Sequence, residues 1–218
     1  MNIFKKAVYY TVKNFISLYM SAFIEFKVWG RENIPEGARL YCSNHFSSTD
    51  PFFALTIMKE PVHMVVGPGF SVPIFRHILK AGEQINALPQ HRHNVLLNAV
   101  KYLNKGESVY IFPEGDLNDQ NKLRDFYPGL AKIHLMTNIP IIPIGIIAPK
   151  RYVKEKDVNI KIGEVIHKTL IVSSGKYYAN IGKPVTFNKN LTPEEISQQM
   201  KEIIEALIND IKINKFWE

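Results

Sequence analysis

Cysteine is almost missing from this chain, in which Cys42 is the single example among 218 residues. A disulfide within the chain is therefore excluded, which fits a reducing compartment such as the cytosol. Cys42 lies in a short apolar run, and free cysteines are commonly buried, so we expect a small core residue. A nucleophilic thiol paired with His45 is the weaker alternative, since neighbouring side chains of a strand point to opposite faces.

A long uncharged run is missing from the apolar N-terminal region. The uncharged stretch there, residues 14–24, is far short of the ~20 residues that a helix needs to span a bilayer. No small-residue cleavage site of the secretory type follows it. Aromatic residues and the lysines Lys5, Lys6 and Lys13 favour a helix that lies in the headgroup region of a membrane. The alternative is a helix packed on the protein's own core.

These features predict two parts: an N-terminal amphipathic, membrane-associating helical segment, residues 1–26, and one domain over residues 27–218. Hydrophobic residues make up 46% and charged residues 22% of the chain, an ordinary globular balance. No internal repeat is visible, and the length suggests one domain with a real core.

Motifs of several enzyme classes are missing. There is no P-loop, and "GPGFSV" at 67–72 does not match a dinucleotide fingerprint. "GFSVP" at 69–73 lacks the last glycine of a nucleophile elbow. No spacing typical of metal ligands stands out; His91 and His93 lie in a polar loop, and we interpret them as solvated.

Positive charge is concentrated in one region. Residues 131–190 carry ten Lys and Arg against three Asp and Glu, an excess equal to the net charge of +7 for the whole chain. Such a patch could meet anionic lipid, nucleic acid or an acidic protein. It could equally be a solvated face. Nucleic-acid binding is disfavoured, because no recognised binding module with interleaved aromatic and basic residues is present.

Short apolar runs alternate with segments of helical spacing, which predicts an α/β domain with a partly parallel sheet flanked by helices. Strands are expected within 23–30, 38–44, 61–67, 108–112, 140–149 and 151–190. Helices are expected within 51–59, 70–82, 95–106, 129–139 and 191–216. Thr192, Pro193 and Glu195 form a capping box at the start of the last helix. Its apolar stripe is interpreted as core: Ile196, Met200, Ile203, Ile204, Leu207 and Ile211.

Two polar loops follow predicted strands, "NHFSSTD" at 44–50 and "FPEGDLND" at 112–119. Working residues of open α/β sheets gather beyond the carboxyl ends of strands. Histidine is suited to proton transfer near neutral pH, and Asp50 could orient His45 if the turn folds back. A surface histidine and a helix-capping Asp50 are the alternative.

No side-chain nucleophile is evident, since Ser47 and Ser48 are too close in sequence to His45 for an ordinary triad. The remaining possibility is a reaction in which the substrate's own hydroxyl is the nucleophile and His45 is its base.

The blocks "NHFSSTDPFF" and "YIFPEG" stand at 44–53 and 110–115. They resemble the H-x4-D and F-P-E-G blocks of the lysophosphatidic acid acyltransferase family of glycerolipid acyltransferases. "YPGLAKIHLMTNIPIIPIGI" is similar to the family's glycine, helix and proline-containing strand, and "GRENIPEG" with "IGKPV" extends the likeness over residues 28–190. The resemblance implies a glycerolipid-acyltransferase-like sheet.

The resemblance also implies transfer of a fatty acyl group from acyl-CoA or an acyl carrier protein to a lysolipid hydroxyl, most simply that of 1-acylglycerol-3-phosphate. His45 is then the general base and Asp50 orients it, with no acyl-enzyme and no metal or redox cofactor. Glu114 and Gly115 match the acceptor-binding loop, where Glu114 would accept hydrogen bonds from glycerol hydroxyls. Phe112 and Pro113 would shape that loop.

Pro140 and Pro143 would support the acyl site, and prolines in this apolar strand suggest a sheet edge or a strand end.

The chain departs from the family pattern where phosphate would be held. Asp116 and Leu117 replace the Thr or Ser and the Arg that follow F-P-E-G, and no arginine stands beside Asn86. Because arginine is favoured for phosphate recognition, Arg92, Lys122 or Arg124 would have to substitute, or the acceptor is another lipid.

The expected partners are therefore a membrane phospholipid surface, a lysolipid acceptor and an acyl donor, with the protein peripheral to a membrane and facing the cytosol. A catalytically inert lipid-binding protein is the rival hypothesis.

Overall fold

A mixed sheet forms the centre of the computed structural model, which describes residues 3–162 and 165–215; eight strands lie within these ranges. The strands are β1 (Ile24–Trp29), β2 (Leu40–Ser43), β3 (Val62–Val66), β4 (Ile85–Asn86), β5 (Ser108–Ile111), β6 (Ile141–Ile147), β7 (Val153–Ile162) and β8 (Val165–Ile181). The helices in the same ranges are α1 (Ile3–Phe23), α2 (Asp50–Ile57), α3 (Pro73–Ala81), α4 (Arg92–Asn104), α5 (Gly129–Thr137) and α6 (Pro193–Asp210), which continues as a π-helical turn, Ile211–Lys215.

The strand order is β1-β8-β6-β2-β5-β3-β4, and β7 pairs with β8 outside this path. Strand β2 is parallel to both of its neighbours, β5 and β6. Strand β8 runs antiparallel to β6 and to β7. Because β2 and β5 are adjacent and parallel, the loops that follow them leave the same edge of the sheet side by side.

Alternation along the strands divides the core between the two faces of the sheet. Leu40 and Cys42 of β2 pack in a cluster with α4, α5 and α6. Tyr41, between them, packs in the opposite cluster with residues of α1 and α2. Cys42 is fully buried, as predicted, and burial raises the pKa of its thiol, so it is an inert core residue.

Helix α6 begins with the predicted capping box. The Thr192 hydroxyl accepts a hydrogen bond from the Glu195 N–H at 3.2 Å, and the Glu195 carboxylate accepts one from the Thr192 N–H at 2.7 Å. The apolar stripe faces the core as expected: Ile196, Met200, Ile204 and Ile211 are buried, and Ile203 and Leu207 are half-buried.

The expectation that Pro143 marks a sheet edge or a strand end is wrong. Pro143 is the third residue of β6, between β2 and β8, and is paired with Cys42. The antiparallel ladder to β8 starts only at Ile144, and the Gly182 N–H donates to the Pro143 carbonyl at 2.9 Å. Pro143, which has no N–H to donate, therefore lies at the point where the ladder between β6 and β8 is interrupted. Pro140, in contrast, directly precedes β6.

Helix α1 is tied to the domain on one side and exposed on the other. The Tyr9 hydroxyl accepts a hydrogen bond from the Val62 N–H, and Lys13 donates to the carbonyls of Met58 and Lys59. Phe15 and Leu18 are each 73% exposed. Within the described ranges, no helix combines the length and the apolar character that crossing a bilayer requires.

The capping box supports a stability prediction. Thr192→Ala removes the acceptor for the Glu195 N–H and is expected to lower the free energy of unfolding by about 1 kcal/mol. Denaturant unfolding measures the change, with Thr192→Ser as the control that keeps the hydroxyl. Equal stability of the alanine and serine variants would contradict the assigned cap.

Candidate active site

The turn between β2 and α2 is fastened to the neighbouring strands. The Asn44 side chain donates to the Ile146 carbonyl at 2.9 Å and accepts from the Ile146 N–H at 2.8 Å, which anchors the start of the turn on β6. The Ser47 hydroxyl and the Ser48 N–H both donate to the Leu170 carbonyl of β8, each at 2.9 Å. Hydrogen bonds to the main chain of β6 and of β8 thus hold the turn on both sides.

Asp50 lies fully buried beneath this turn and accepts four hydrogen bonds. Its Oδ2 atom is 2.9 Å from His45 Nδ1, 2.8 Å from the Phe46 nitrogen and 2.9 Å from the Ser47 nitrogen. Its Oδ1 atom accepts from the Tyr177 hydroxyl at 3.0 Å. Burial, with Asp50 close by, raises the pKa of Tyr177 well above its ordinary value, so that hydroxyl remains a donor.

The proximity of His45 and Asp50 confirms the predicted fold-back of the turn. A carboxylate facing Nδ1 selects the tautomer with the proton on that nitrogen, which leaves the Nε2 lone pair available. The His45 side chain is 17% exposed, so it can be reached from outside. This is the arrangement of a general base with its orienting partner.

The alternative role of Asp50 as a helix cap is wrong. Asp50 is the first residue of α2, Thr49 is its N-cap, and this cap makes no side-chain hydrogen bond. The Asp50 carboxylate instead faces back to the N–H groups of Phe46 and Ser47. A sequence pattern cannot distinguish the two orientations, because aspartate at a helix start satisfies either.

Phe112 and Pro113, predicted to shape the second loop, make different contacts. The Phe112 ring stacks on the His45 imidazole with 4.2 Å between centroids. Pro113 is buried, and its carbonyl accepts from the Tyr127 N–H at 2.9 Å. Gly115 has φ +68°, and a Cβ there would come within 2.7 Å of the Tyr127 ring. Glycine is therefore favoured at this position.

Glu114 holds the main chain of the catalytic turn. It is 1% exposed, and Oε1 accepts from the His45 N–H at 2.7 Å while Oε2 accepts from the Arg124 N–H at 2.7 Å. Asn118 donates to both oxygens at 2.8 and 3.0 Å, and its N–H donates to the His45 carbonyl at 2.7 Å. Burial raises the Glu114 pKa, and the hydrogen bonds from the Arg124 and His45 N–H groups oppose that rise.

The resemblance implied that Glu114 accepts hydrogen bonds from glycerol hydroxyls. In the structure both of its oxygens accept hydrogen bonds from within the protein, and Oε1 holds the His45 N–H. Glu114 thus positions the main chain of His45, and its binding of an acceptor stays a prediction.

The two arginines predicted as phosphate ligands lie in different places. The Arg124 Nη1 is 3.3 Å from Asp116 Oδ2 and 3.3 Å from the Leu117 carbonyl, so its exposed side chain stands beside the loop of Glu114. Arg92 is exposed at the start of α4, which follows β4. Three strand spacings separate β4 from β2, roughly 14 Å. Arg124 therefore lies beside the loop of Glu114, whereas Arg92, His91 and His93 are exposed in and next to the start of α4, on the side of the sheet where β4 lies.

Several residues of the site were not predicted. Tyr177 is 127 positions from Asp50 in sequence, so no local pattern could connect them. Asn118 lies in the polar loop that was recognised, but its role depends on the orientation of Glu114. Asn44 is part of the first motif, and only the pairing of β2 with β6 shows what it binds.

An apolar cavity of about 220 Å³ opens beside the turn. Its walls come from α1, the start of α2 and β8, including Tyr19, Met20, Phe52 and Ile171. Thr49, directly before Asp50, also lines it.

The two loops at this edge of the sheet carry the motifs on which the family assignment depends. The family model described as Acyltransferase matches residues 25–147, more than half of the chain, and the chain belongs to this family. The matched range contains His45, Asp50 and Glu114, and the family predicted from the motifs is thereby confirmed.

Individual proteins are similar to this chain. The chloroplastic 1-acyl-sn-glycerol-3-phosphate acyltransferase of Arabidopsis thaliana is 23% identical over 185 residues, covering 81% of this chain and 52% of that protein. The 1-acyl-sn-glycerol-3-phosphate acyltransferase of Borreliella burgdorferi is 28% identical over 137 residues, 59% of this chain and 53% of that protein. The chain thus spans about half the length of these curated relatives.

The crystal structure of the 1-acyl-sn-glycerophosphate acyltransferase PlsC from Thermotoga maritima has the same fold. The TM-score is 0.71 at 20% identity, with 98% of this chain and 85% of that chain covered. The central sheet flanked by helices, predicted from the sequence, is confirmed.

Tyr177 supplies a test of the carboxylate's environment. Tyr177→Phe removes one donor from Asp50 without changing the packed ring, so we expect about a tenfold lower kcat, about 1.4 kcal/mol, with KM little changed. Steady-state acyl-transfer kinetics measure both constants. Tyr41→Phe is the control, because that buried tyrosine donates to Glu60 instead. A kcat that is equally unaffected in both variants would refute a role for Tyr177.

Proposed function

We propose that the protein is an O-acyltransferase that moves a fatty acyl group from a thioester to a lysolipid hydroxyl, with His45 as the general base. The observation that carries the proposal is the His45–Asp50 pair at 2.9 Å with Nε2 directed away from the carboxylate. Membership of the acyltransferase family supports the reaction class.

In the proposed step, His45 Nε2 takes the proton of the acceptor hydroxyl, whose oxygen attacks the thioester carbonyl. The tetrahedral intermediate then breaks its carbon–sulfur bond, and the imidazolium returns the proton to the departing thiolate. The products are an ester and a free thiol, and no residue of the protein is acylated. Asp50 stabilises the imidazolium and keeps the ring in place. The proton transfers of this step use His45 alone and call for no metal or redox cofactor.

The first acceptor to consider is 1-acylglycerol-3-phosphate, because the curated relatives carry that substrate in their names. Arg124 at the mouth of the loop supports recognition of an anionic head group, although Asp116 stands against it. Another lysolipid is the alternative acceptor. The donor would be acyl-CoA or an acyl carrier protein, and the basic β7–β8 hairpin is suited to either acidic partner.

We place the protein on a membrane surface, facing the cytosol, through α1 and α3. The outer face of α1 exposes Phe15 and Leu18, and α3 exposes Ile74, Phe75 and Ile78. Helix α3 has no buried residue among its nine. Aromatic and aliphatic side chains beside lysines are typical of helices that lie in the headgroup region. The apolar cavity between α1 and α2 would then receive an acyl chain directly from the lipid.

A catalytically inert lipid-binding protein is the second candidate function. Such a protein would use the same apolar surfaces, but lipid binding alone does not explain why a buried carboxylate faces a histidine. The kinetic test below separates the two.

His45→Ala is expected to lower kcat by about 10²–10⁴-fold, because the base is lost while the packed turn remains. The assay follows labelled acyl groups from acyl-CoA or acyl carrier protein into lysolipids, and circular dichroism confirms that the variant is folded. His91→Ala is the matched control on an exposed histidine. Near-full activity of the His45 variant would refute the base assignment.

The same assay with a panel of acceptors identifies the lipid. Label in phosphatidic acid would mean that cations such as Arg124 replace the missing arginines. Label in another lipid would mean that the altered loop selects a different acceptor. No transfer from either donor to any acceptor would favour the inert lipid-binding protein.

The membrane surface is tested by Phe15→Glu with Leu18→Glu. Two exposed apolar side chains are lost and two negative charges are gained, so binding to anionic liposomes should weaken about tenfold or more. Sedimentation with liposomes measures the bound fraction. The control, Gln199→Glu with Asn190→Asp, adds the same charge at exposed positions in and near α6. If both double variants sediment like the wild type, α1 is not the membrane contact.

A further inference from the structure

A second cavity, of about 430 Å³, lies between the loop after β5 and the β7–β8 hairpin. Its size is within the range of small-molecule sites, about 300–1,000 Å³. In contrast to the apolar cavity, its lining is rich in charge. The charged lining residues are Lys150 and Lys168 on one hand, and Asp119, Glu155 and Asp157 on the other.

This polar cavity adjoins the catalytic turn. Phe46, whose N–H binds Asp50, forms part of its wall, as does Asn118, whose N–H binds the His45 carbonyl. The hydroxyls of Ser48 and Thr169 form a hydrogen bond that joins the turn to the hairpin beside it. A molecule bound in the cavity would therefore reach the neighbourhood of the histidine.

Two buried polar atoms on this wall have no hydrogen-bond partner among the residues that the structure describes: Glu155 Oε2 and Gln120 Nε2. Leaving a buried polar group without a partner is costly, and such groups in folded proteins call for an explanation. The carboxylate oxygen requires a donor, and the amide nitrogen requires an acceptor. Both residues line the same cavity, so one ligand that carries a donor and an acceptor would satisfy both.

The signs of the charges that line the cavity further limit the chemical class of the ligand. Glu155 and Asp157 occupy alternate positions of β7 and so share one face of the strand. A phosphate monoester alone would meet two lysines but also three carboxylates, which repel it. A head group with both an ammonium and a phosphate can place each charge against its opposite.

We propose that this cavity is the head-group subsite of the acceptor and that it binds a zwitterionic lysophospholipid head group. Glu155 and Asp157 hold the ammonium, Lys150 and Lys168 hold the phosphate, and Gln120 donates to a phosphate oxygen. The proposal rests on the proposed acyl transfer and selects the alternative acceptor, another lysolipid, over 1-acylglycerol-3-phosphate. It also accounts for the loss of the phosphate-binding arginines, because Lys150 and Lys168 supply other cations.

The first test measures binding without turnover. Titration calorimetry of the whole chain should show sn-glycero-3-phosphoethanolamine binding at least about tenfold tighter than sn-glycerol 3-phosphate. Glu155→Gln should remove that preference, whereas Glu36→Gln, at an exposed loop position, should keep it. Equal affinity for the two compounds in the wild type, or an unchanged preference in Glu155→Gln, would overturn the proposal.

The second test uses lipids and the lysines. Lys168→Gln should raise KM for lysophosphatidylethanolamine about tenfold with kcat retained. Lys156→Gln should not, because Lys156 is exposed and lies between Glu155 and Asp157 in β7, so it points to the opposite face of the strand. If acyl transfer occurs but the head-group preference does not change in the Glu155 and Lys168 variants, the proposed acyltransferase activity is retained and the proposed subsite is overturned. Selective head-group binding with no acyl transfer from either donor would support the subsite and reject the proposed reaction.

Discussion

Burial of the Asp50 carboxylate is the constraint on which the site depends, because a charge removed from water must find its donors inside the protein. It finds four: the His45 ring, two N–H groups of the turn and the Tyr177 hydroxyl. These donors come from the loop after β2 and from β8, so the hydrogen bonds of the Asp50 side chain fix the positions of two elements. Leaving a buried polar group without its donor typically costs about 1–3 kcal/mol, so each of these donors stabilises the observed arrangement of the turn.

The sheet places a second carboxylate next to the first. Strands β2 and β5 are parallel neighbours, so Glu114 reaches the His45 N–H from the adjacent loop. Asp50 thus holds the ring of His45 while Glu114 and Asn118 hold its main chain. The turn that carries His45 is flanked by two cavities: Thr49 lines the apolar one, and Phe46 lines the polar one beside the loop of Glu114. This arrangement suits the proposed reaction, in which an acyl chain and a head group meet at the histidine.

Periodicity and turn chemistry were enough to predict most elements, the partly parallel sheet and the inward stripe of α6. The short strand β4 was not predicted, because two residues give no pattern. The His45–Asp50 pair was predicted because both residues lie in one turn. The contacts of Tyr177 and of Glu114 were not predicted, since each joins segments distant in sequence. The position of Pro143 was misjudged for a related reason: an interrupted ladder tolerates proline in a central strand, and only the pairing of β6 with β8 reveals the interruption.

The most direct measurement is the protonation of the His45 ring, read from the ¹⁵N shifts of the imidazole by NMR at neutral pH. A base held by Asp50 should carry its proton on Nδ1 and present an unprotonated Nε2 to the acceptor. That result, together with loss of the fixed tautomer in Asp50→Asn, is what the account predicts. A proton on Nε2 in the wild type would contradict it, because the nitrogen that must accept the hydroxyl proton would already be occupied.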